Sequence, residues 1–165
     1  MKDSLSRVID FIAAWFPKKP AAYLLLYIVW LITLWFLSER SPEPEKDPQV
    51  SHLDKVAHFG YFFGGGGLLA AFLGLRQWRD KPEKSLWVVF AFVVLAGCIV
   101  GRLDEYHQSF TPGRDGNDMG DWLADIIGTV FGAWVMLSNV LPRLIPRQIE
   151  RDEDEDIEIV ANSLD

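Results

Sequence analysis

Three short stretches of the sequence place ionisable and amide side chains beside long apolar runs. The residues that could do chemistry are Asp54, Lys55, His58, Glu105, Gln108, Arg114, Asp121 and Asp125. Histidine suits proton transfer near neutral pH, and a histidine with carboxylates can also bind a metal ion. Arginine binds phosphate or carboxylate through paired hydrogen bonds, and lysine adds a point charge. These residue types therefore indicate acid–base or metal chemistry, or the binding of an anion.

Helical spacing sorts these residues onto shared faces. The groups that share a face are Asp54 with His58, Glu105 with Gln108, and Asp121 with Asp125 and Gly128. Asp125 lies four residues after Asp121, which is about 6 Å deeper along a helix. An unpaired acid near the centre of a bilayer costs about 2.5 to 3.5 kcal/mol on insertion scales. Such residues usually turn inward, pair and mark function, so we expect Asp125 to do the same.

Plainer roles compete for several of these positions. Asp54, Asp118 and Asp121 could cap helix starts by accepting hydrogen bonds from free backbone N–H groups, and we favour that role for Asp118. Asp125 lies too deep to be a cap. Arg102 suits the C-terminal end of a helix, so we expect it to be an interface anchor rather than a site residue.

Four apolar runs must position the candidate residues. They cover residues 21–37, 56–75, 86–103 and 122–141, close to the length of about 20 residues that crosses a bilayer. The first run lacks a small-x-small cleavage site after it, which favours an uncleaved span over a signal peptide. Pro142 and Pro146 are expected to end the last helix. The sequence therefore predicts an all-α, four-helix transmembrane bundle with a polar outer loop between helices 3 and 4.

The two ends of the chain differ from this bundle. Apolar residues at helical spacing within residues 2–16 predict an amphipathic helix on the membrane surface. Residues 150–165 hold eight acids against one arginine and account for the whole net charge of -7. We therefore divide the chain into a membrane domain of residues 1–149 and an acidic, disordered cytoplasmic tail of residues 150–165.

Composition excludes several classes of function. No basic stripe or aromatic platform indicates a nucleic-acid partner. Cys98 is the only cysteine, so an intramolecular disulfide is impossible. The glycine run 64–67 lacks the Gly-Lys-Ser/Thr ending of a phosphate loop, so a nucleotide site is not supported.

The other glycines have a structural interpretation. The pairs Gly60 with Gly64, Gly97 with Gly101, and Gly128 with Gly132 are each separated by three residues. Small residues at this spacing let membrane helices approach closely, because lipid provides no hydrophobic drive for helix association. We expect all three pairs to lie at helix–helix contacts.

The distribution of Lys and Arg predicts the orientation. Eleven of these residues fall on the side that holds both termini, and five fall on the opposite side. Basic residues are retained in the cytoplasm, so both termini are expected there, in the bacterial inner membrane. All three histidines, His52, His58 and His107, then lie toward the outer face together with the candidate site.

The motifs together resemble the VanZ-like family of small bacterial membrane proteins. They are Asp54-Lys55-x-x-His58, Asp104-Glu105-x-x-Gln108-x-Phe110-x-Pro112-Gly113-Arg114, and Asp121-x-x-x-Asp125-x-x-Gly128. The similarity covers about residues 54–132. The name member of the family is associated with low-level resistance to the glycopeptide teicoplanin, so the resemblance implies a role in the cell envelope.

Carried over, the family positions are Asp54, Lys55, His58, Glu105, Gln108, Arg114, Asp121, Asp125 and Gly128. Two departures stand out. Asp125 occupies a position that many relatives fill with asparagine. The spacing from Arg114 to Asp121 is one residue longer than common, so either Asp118 or Asp121 is the equivalent acid.

Three functions follow as hypotheses. In the first, Arg114 and Lys55 bind an anionic lipid or a lipid-linked cell-wall precursor, supported by Glu105, Asp121 and Asp125. In the second, the protein is an outer-leaflet hydrolase or transferase that uses His58 with those carboxylates, directly or through a metal.

In the third, buried ion pairs such as Lys55 with Asp125 only fix the register of a structural scaffold. The sequence identifies no cofactor and no defined set of metal ligands. Membrane lipids are the expected partners, and a homo-oligomer is compatible with the sequence, since four spans could form a transport path only by assembling.

Overall fold

The computed structural model describes residues 7–8, 11, 14–40, 48–80, 85–114 and 116–145. Within them every regular element is helical: α1 Pro20–Ser38, α2 Pro48–Asp80, α3 Trp87–Gln108, α4 Met119–Val135, a π-helical segment Met136–Val140, and α5 Leu141–Leu144. Four helical stretches are long and apolar enough to cross a membrane. The predicted all-α transmembrane bundle is confirmed. The surface helix of residues 2–16 lies largely outside the described residues, and the acidic tail lies wholly outside them.

The helices extend beyond the apolar runs at the end that holds the candidate site. Helix α2 begins at Pro48, where a missing N–H costs nothing in a first turn, rather than at residue 56. Helix α3 continues to Gln108, so the expectation that it gives way to a loop after residue 103 is wrong. In α3 the polar residues of this extension, Asp104, Glu105 and Gln108, are buried against protein, and the helix can therefore carry them.

The last span also differs from expectation, because Pro142 does not end it. The π-helical segment precedes the proline, and the N–H of Leu141 donates to the carbonyl of Met136 with the wider π spacing. A proline inside a regular helix collides with the carbonyl four residues earlier. The wider turn accommodates the ring, and the helix ends at Leu144, before Ile145 takes an extended conformation.

Helices α2 and α4 pack backbone to backbone. A Cβ added at Gly128 would meet the carbonyl of Phe59, and one added at Gly132 would meet the carbonyl of Phe63. On the facing side, a Cβ at Gly66 would lie 2.7 Å from the carbonyl oxygen of Thr129. Glycine is therefore required on both helices at this contact.

Helix α3 approaches α4 in a similar way. A Cβ at Gly97 would collide with the side chain of Thr129, and one at Gly101 would lie 2.8 Å from Oδ2 of Asp125. The predicted packing role is thus confirmed for these two glycines. It is wrong for the pair Gly60 and Gly64, because no atom of the described residues lies within 4 Å of an added Cβ at either position.

Helix α1 is peripheral, with 11% of its span buried against 44% for α2. It is held to α2 by a reciprocal pair of hydrogen bonds. The indole Nε1 of Trp30 donates to the carbonyl of Tyr61 over 3.0 Å, and the hydroxyl of Tyr61 donates to the carbonyl of Trp30 over 2.8 Å. Gly65 leaves the space that the Trp30 ring occupies. This contact fixes α1 beside the candidate site.

The interior of the bundle is divided into two halves. One half is an apolar core built from Tyr23, Leu69, Ala70, Ala71, Leu75, Val89, Val93, Ala133, Met136, Leu137, Leu141 and Leu144. The other half, which we call the polar end, contains the buried polar residues Ser38, Asp104, Glu105, Gln108, Thr111, Asp121, Asp125 and Thr129. The functional side-chain groups of all candidate site residues except Gly128 lie at this end of the bundle.

The glycine contact between α2 and α4 can be tested with Gly132→Ala. The added methyl group should push the two helices apart and lower the melting temperature in detergent, because overpacking of this kind costs about 1 to 3 kcal/mol. Gly64→Ala is the matched control, and it should be neutral or slightly stabilising, since alanine is the better helix former. Equal melting temperatures for the two variants would contradict the close helix contact.

Candidate functional site

The start of α4 is tied to α2 by an ion-pair cluster. Nζ of Lys55 lies 3.1 Å from Oδ2 of Asp118 and 2.9 Å from Oδ1 of Asp121. Asp118 is also the N-cap of α4, because its Oδ1 accepts the N–H of Gly120 over 2.6 Å, as the sequence predicted. The suggested pair of Lys55 with Asp125 is therefore wrong.

The charge of Asp118 is stabilised by these contacts. The backbone N–H of Gly120 and the ammonium of Lys55 together lower the pKa of Asp118 below its ordinary value. Its side chain is still 49% exposed, whereas that of Asp121 is 9% exposed. Asp118 thus sits at the edge of the polar end, and Asp121 lies behind it.

One turn deeper, His58 of α2 meets Asp125 of α4. Nδ1 of His58 lies 2.9 Å from Oδ1 of Asp125, which is completely buried. An ionised carboxylate can only accept a hydrogen bond, so with Asp125 ionised Nδ1 carries the proton and Nε2 is the other available nitrogen. Gly101 and Gly128 give Asp125 its place by letting α3 and α2 approach α4. The expectation that Asp125 turns inward and pairs is confirmed.

Glu105 of α3 lies close to these contacts. Its Oε2 accepts the backbone N–H of Asp118 over 2.7 Å, which attaches the loop before α4 to the end of α3. Its side chain is 1% exposed, and Oε1 has no hydrogen-bond partner among the described residues. Oδ2 of Asp125 and Oγ1 of Thr129 share that property. Buried oxygens without partners are uncommon and call for an explanation.

A second network centres on Asp104, which belongs to the family motif but was not among the candidate site residues. This carboxylate accepts hydrogen bonds from the hydroxyl of Ser38 and, over 2.7 Å, from Nε2 of Gln108. The signal that could have found it is the spacing of four residues between Asp104 and Gln108 on one helix face. Ser38 carries no such signal, because only the packing of α1 against α3 brings it here.

Arg114 extends this network into the loop. Its Nη1 donates to Oε1 of Gln108 over 2.7 Å, and its Nε donates to the carbonyl of Arg40 over 3.1 Å. Gly113, with a φ of 83°, makes the turn that positions it. The expectation that carboxylates hold Arg114 is wrong within the described residues, where its hydrogen-bond acceptors are these two neutral oxygens.

A cavity of about 220 Å³ lies between α1, α2, α3 and this loop. Its polar wall consists of Ser38, Arg40, Asp54, His58, Asp104, Gln108 and Arg114. Its apolar wall includes Leu34, Leu37, Ala57 and Phe62. The cavity thus combines charged groups with a hydrocarbon surface at one end of a membrane helix bundle.

A protein-family model described as VanZ/LLP1 matches residues 13–141. The chain belongs to the VanZ-like family. The match includes all of α1, which the sequence resemblance of residues 54–132 did not reach. No curated protein and no solved structure matches the chain.

In this VanZ-like protein the family positions occupy four places. Asp54, His58, Gln108 and Arg114 line the cavity. Lys55 and Asp121 form the ion-pair cluster, and Glu105 and Asp125 lie behind His58. Gly128 has no side chain, and it serves the close helix packing that brings His58 to Asp125.

Within the described residues, two sets of three side chains bring their ligand atoms close enough together that they could hold a metal ion. One consists of His58, Asp104 and Glu105, and the other of Asp54, His58 and Asp121. In each set, one ligand atom from each residue lies within 4.8 Å of the others. His58 belongs to both sets, so one ion could bind to this imidazole together with the carboxylates of either set. The position of the ion would differ between the two sets.

The cap of α4 can be tested with two variants of Asp118. Asp118→Ala should lower the free energy of unfolding by about 1 kcal/mol, whereas Asp118→Asn keeps the cap and loses only the charge. Because the folded-state pKa is lowered, the contribution of the charge is present above the unfolded pKa of about 3.9 and is lost as the pH falls through the folded pKa. The difference in melting temperature between wild type and Asp118→Asn should therefore shrink below about pH 4. A difference that does not change with pH would contradict this account.

Proposed function

We propose that this VanZ-like protein binds an anionic lipid or a lipid-linked cell-wall precursor in the cavity at its polar end. The observation that carries the proposal is the composition of the cavity, whose lining combines charged groups with apolar side chains. A lipid likewise combines a charged headgroup with a hydrocarbon chain. A soluble anion would need only the charged wall.

Arg114 is the residue that fits the anion best. Two of its N–H groups donate to the oxygens of Gln108 and Arg40, which are uncharged, so its positive charge is not neutralised by these contacts. Both hydrogen bonds hold the guanidinium plane in a fixed orientation. A guanidinium that is oriented but not neutralised binds phosphate or carboxylate strongly, because charge-assisted hydrogen bonds are roughly twice as strong as neutral ones.

The apolar wall leads toward the membrane. Leu34 is buried at the cavity, while Leu37 and its neighbour Phe36 are 37% and 62% exposed on α1. An acyl or isoprenoid chain bound in the cavity would follow this apolar surface of α1 toward the lipid phase. The exposed Asp54 at the rim can accept hydrogen bonds from hydroxyl groups of a glycerol or sugar.

The orientation of the site belongs to the same proposal. The excess of Lys and Arg at the opposite end of the bundle supports cytoplasmic termini and an outward polar end in the bacterial inner membrane. Because the family's name member is associated with low-level teicoplanin resistance, envelope lipids are the ligand class to test first.

Binding can be tested by native mass spectrometry of the detergent-purified protein. Wild type should retain a phosphorylated or carboxylated lipid, and Arg114→Ala should lose it while it remains monodisperse. Arg102→Ala is the control, because Arg102 is also a cation near the polar end but is exposed and does not line the cavity. Retention of the same lipid by Arg114→Ala, or equal loss from Arg102→Ala, would contradict the assignment.

A second candidate is an outer-leaflet hydrolase or transferase, and the His58–Asp125 contact favours it. His58 lines the cavity, and Asp125 holds its Nδ1 from behind. An acid in this position fixes the tautomer and orientation of a histidine that acts as a general base. Such a base would act on a lipid ester or phosphoester in the cavity.

This candidate can be tested in proteoliposomes that contain bacterial envelope lipids. Asp125→Asn should leave lipid retention intact and reduce product formation by about 10²- to 10⁴-fold, the usual contribution of acid–base catalysis. Asp118→Asn removes an acid outside the cavity and should not change turnover. If wild type forms no product, or if Asp125→Asn turns over at the same rate, the acid–base role is excluded.

A further inference from the structure

We propose that His58, Asp104 and Glu105 bind one divalent transition-metal cation, of the class of Zn²⁺ or Mn²⁺, between α2 and α3. Their ligand atoms lie within 4.8 Å of one another. Asp104 is 5% exposed, Glu105 is 1% exposed, and the His58 side chain is 10% exposed. The site is thus a buried pocket of ligands rather than a surface patch of acids.

The charges at this point are unbalanced. Asp104 and Glu105 are adjacent in sequence and both buried, and neither forms an ion pair with a lysine or arginine among the described residues. Lys55 at this end of the bundle is already bound to Asp118 and Asp121. Buried carboxylates are normally paired or coordinate metals. A cation between them would supply the missing charge.

The hydrogen bonding of Glu105 points to the same ligand. Oε2 is held by the N–H of Asp118, whereas Oε1 has no partner in the described part of the chain. A protein donor at this place would have satisfied the oxygen. An oxygen that is buried, held in position and unpartnered is suited to a ligand that the protein must acquire.

Each of the three ligands is also held by an outer contact, as in known metal sites. Asp125 accepts from Nδ1 of His58 and leaves Nε2 for the ion. Asp104 accepts from Ser38 and Gln108, and each of its oxygens keeps a second lone pair. These contacts fix the ligands before an ion arrives.

The types of the ligands decide the class of ion. One imidazole with two carboxylates suits Zn²⁺ or Mn²⁺, whereas Mg²⁺ and Ca²⁺ take oxygen ligands. The other set, Asp54, His58 and Asp121, is the weaker choice. Asp54 is exposed, and Oδ1 of Asp121 is bound to Lys55 over 2.9 Å.

The proposed metal site shares His58 and Asp104 with the lining of the cavity, but ion binding there does not require a bound lipid. It does exclude one role, because an ion on Nε2 would occupy the nitrogen that the hydrolase candidate needs as a free base. Any hydrolysis in the cavity would then be assisted by the metal.

The test uses the full-length protein in detergent, without a histidine tag and stripped with a chelator. Wild type is titrated with ZnCl₂ and MnCl₂ by calorimetry, and bound metal is counted by mass spectrometry after desalting. We expect about one ion per chain, as for a single preformed site. Glu105→Gln and Asp104→Asn should each lose the bound ion. Asp125→Asn, which alters only an outer contact, should weaken binding by about 10- to 100-fold.

Two controls separate this site from its neighbours. Glu39→Gln removes an exposed acid at the same end of α1 and should keep the ion. Asp121→Asn removes the alternative set and should keep it as well. Loss in Asp121→Asn together with retention in Asp104→Asn would overturn the assignment in favour of the other set.

A spectroscopic measurement covers the case in which a variant fails to fold. Wild type loaded with Co²⁺ should show the absorption bands of a cobalt ion with nitrogen and oxygen ligands, and excess Zn²⁺ should remove them. Absence of stoichiometric metal and of these bands would overturn the proposal. Bound lipid is measured in the same wild-type samples. Wild type that binds the metal but no lipid would contradict the proposed lipid binding and leave the proposed metal site standing.

Discussion

The structure depends on the need to keep a buried carboxylate, Asp125, paired within a membrane helix bundle. A charge left alone at this depth would cost several kcal/mol, and its partner His58 lies on another helix. The two side chains are short, so they meet only if the helix backbones nearly touch. Glycines at the contact between α2 and α4 allow that approach, and Gly101 on α3 leaves room for the carboxylate itself. The packing of three spans is thus adjusted to one polar contact.

The number of spans and their order follow from hydropathy, and the sequence predicts both correctly. The ends of the spans do not follow, because a hydropathy pattern treats Glu105 and Gln108 as residues that leave the membrane. In the folded chain these side chains face protein, and α3 continues through them. Pro142 misleads for a related reason, since its effect depends on the π turn before it.

The site was predictable as a set of residues but not as a set of partners. Spacing along a helix tells which side chains share a face, and it correctly grouped Asp54 with His58 and Asp121 with Asp125. It cannot tell which face of one helix meets which face of another, so the expected pair of Lys55 with Asp125 was wrong. Ser38 and Asp104 were not singled out, because their role arises only where α1 packs on α3. Asp104 and Glu105 are adjacent in α3 but contact different parts of the structure. Asp104 accepts a hydrogen bond from α1, and Glu105 accepts one from the loop before α4.

The π-helical segment Met136–Val140 has a consequence for the apolar half of the bundle. A π turn contains one residue more than an α turn, so it acts as a single-residue insertion within a continuous helix. Each residue of a regular α-helix turns about 100° around the axis. The residues after the segment are therefore rotated by about 100° relative to the positions they would have in an uninterrupted α-helix. Leu141 and Leu144 return to the core, where they are 0% and 2% exposed. A relative with an uninterrupted α-helix here would align with a gap of one residue and still present the same two leucines inward.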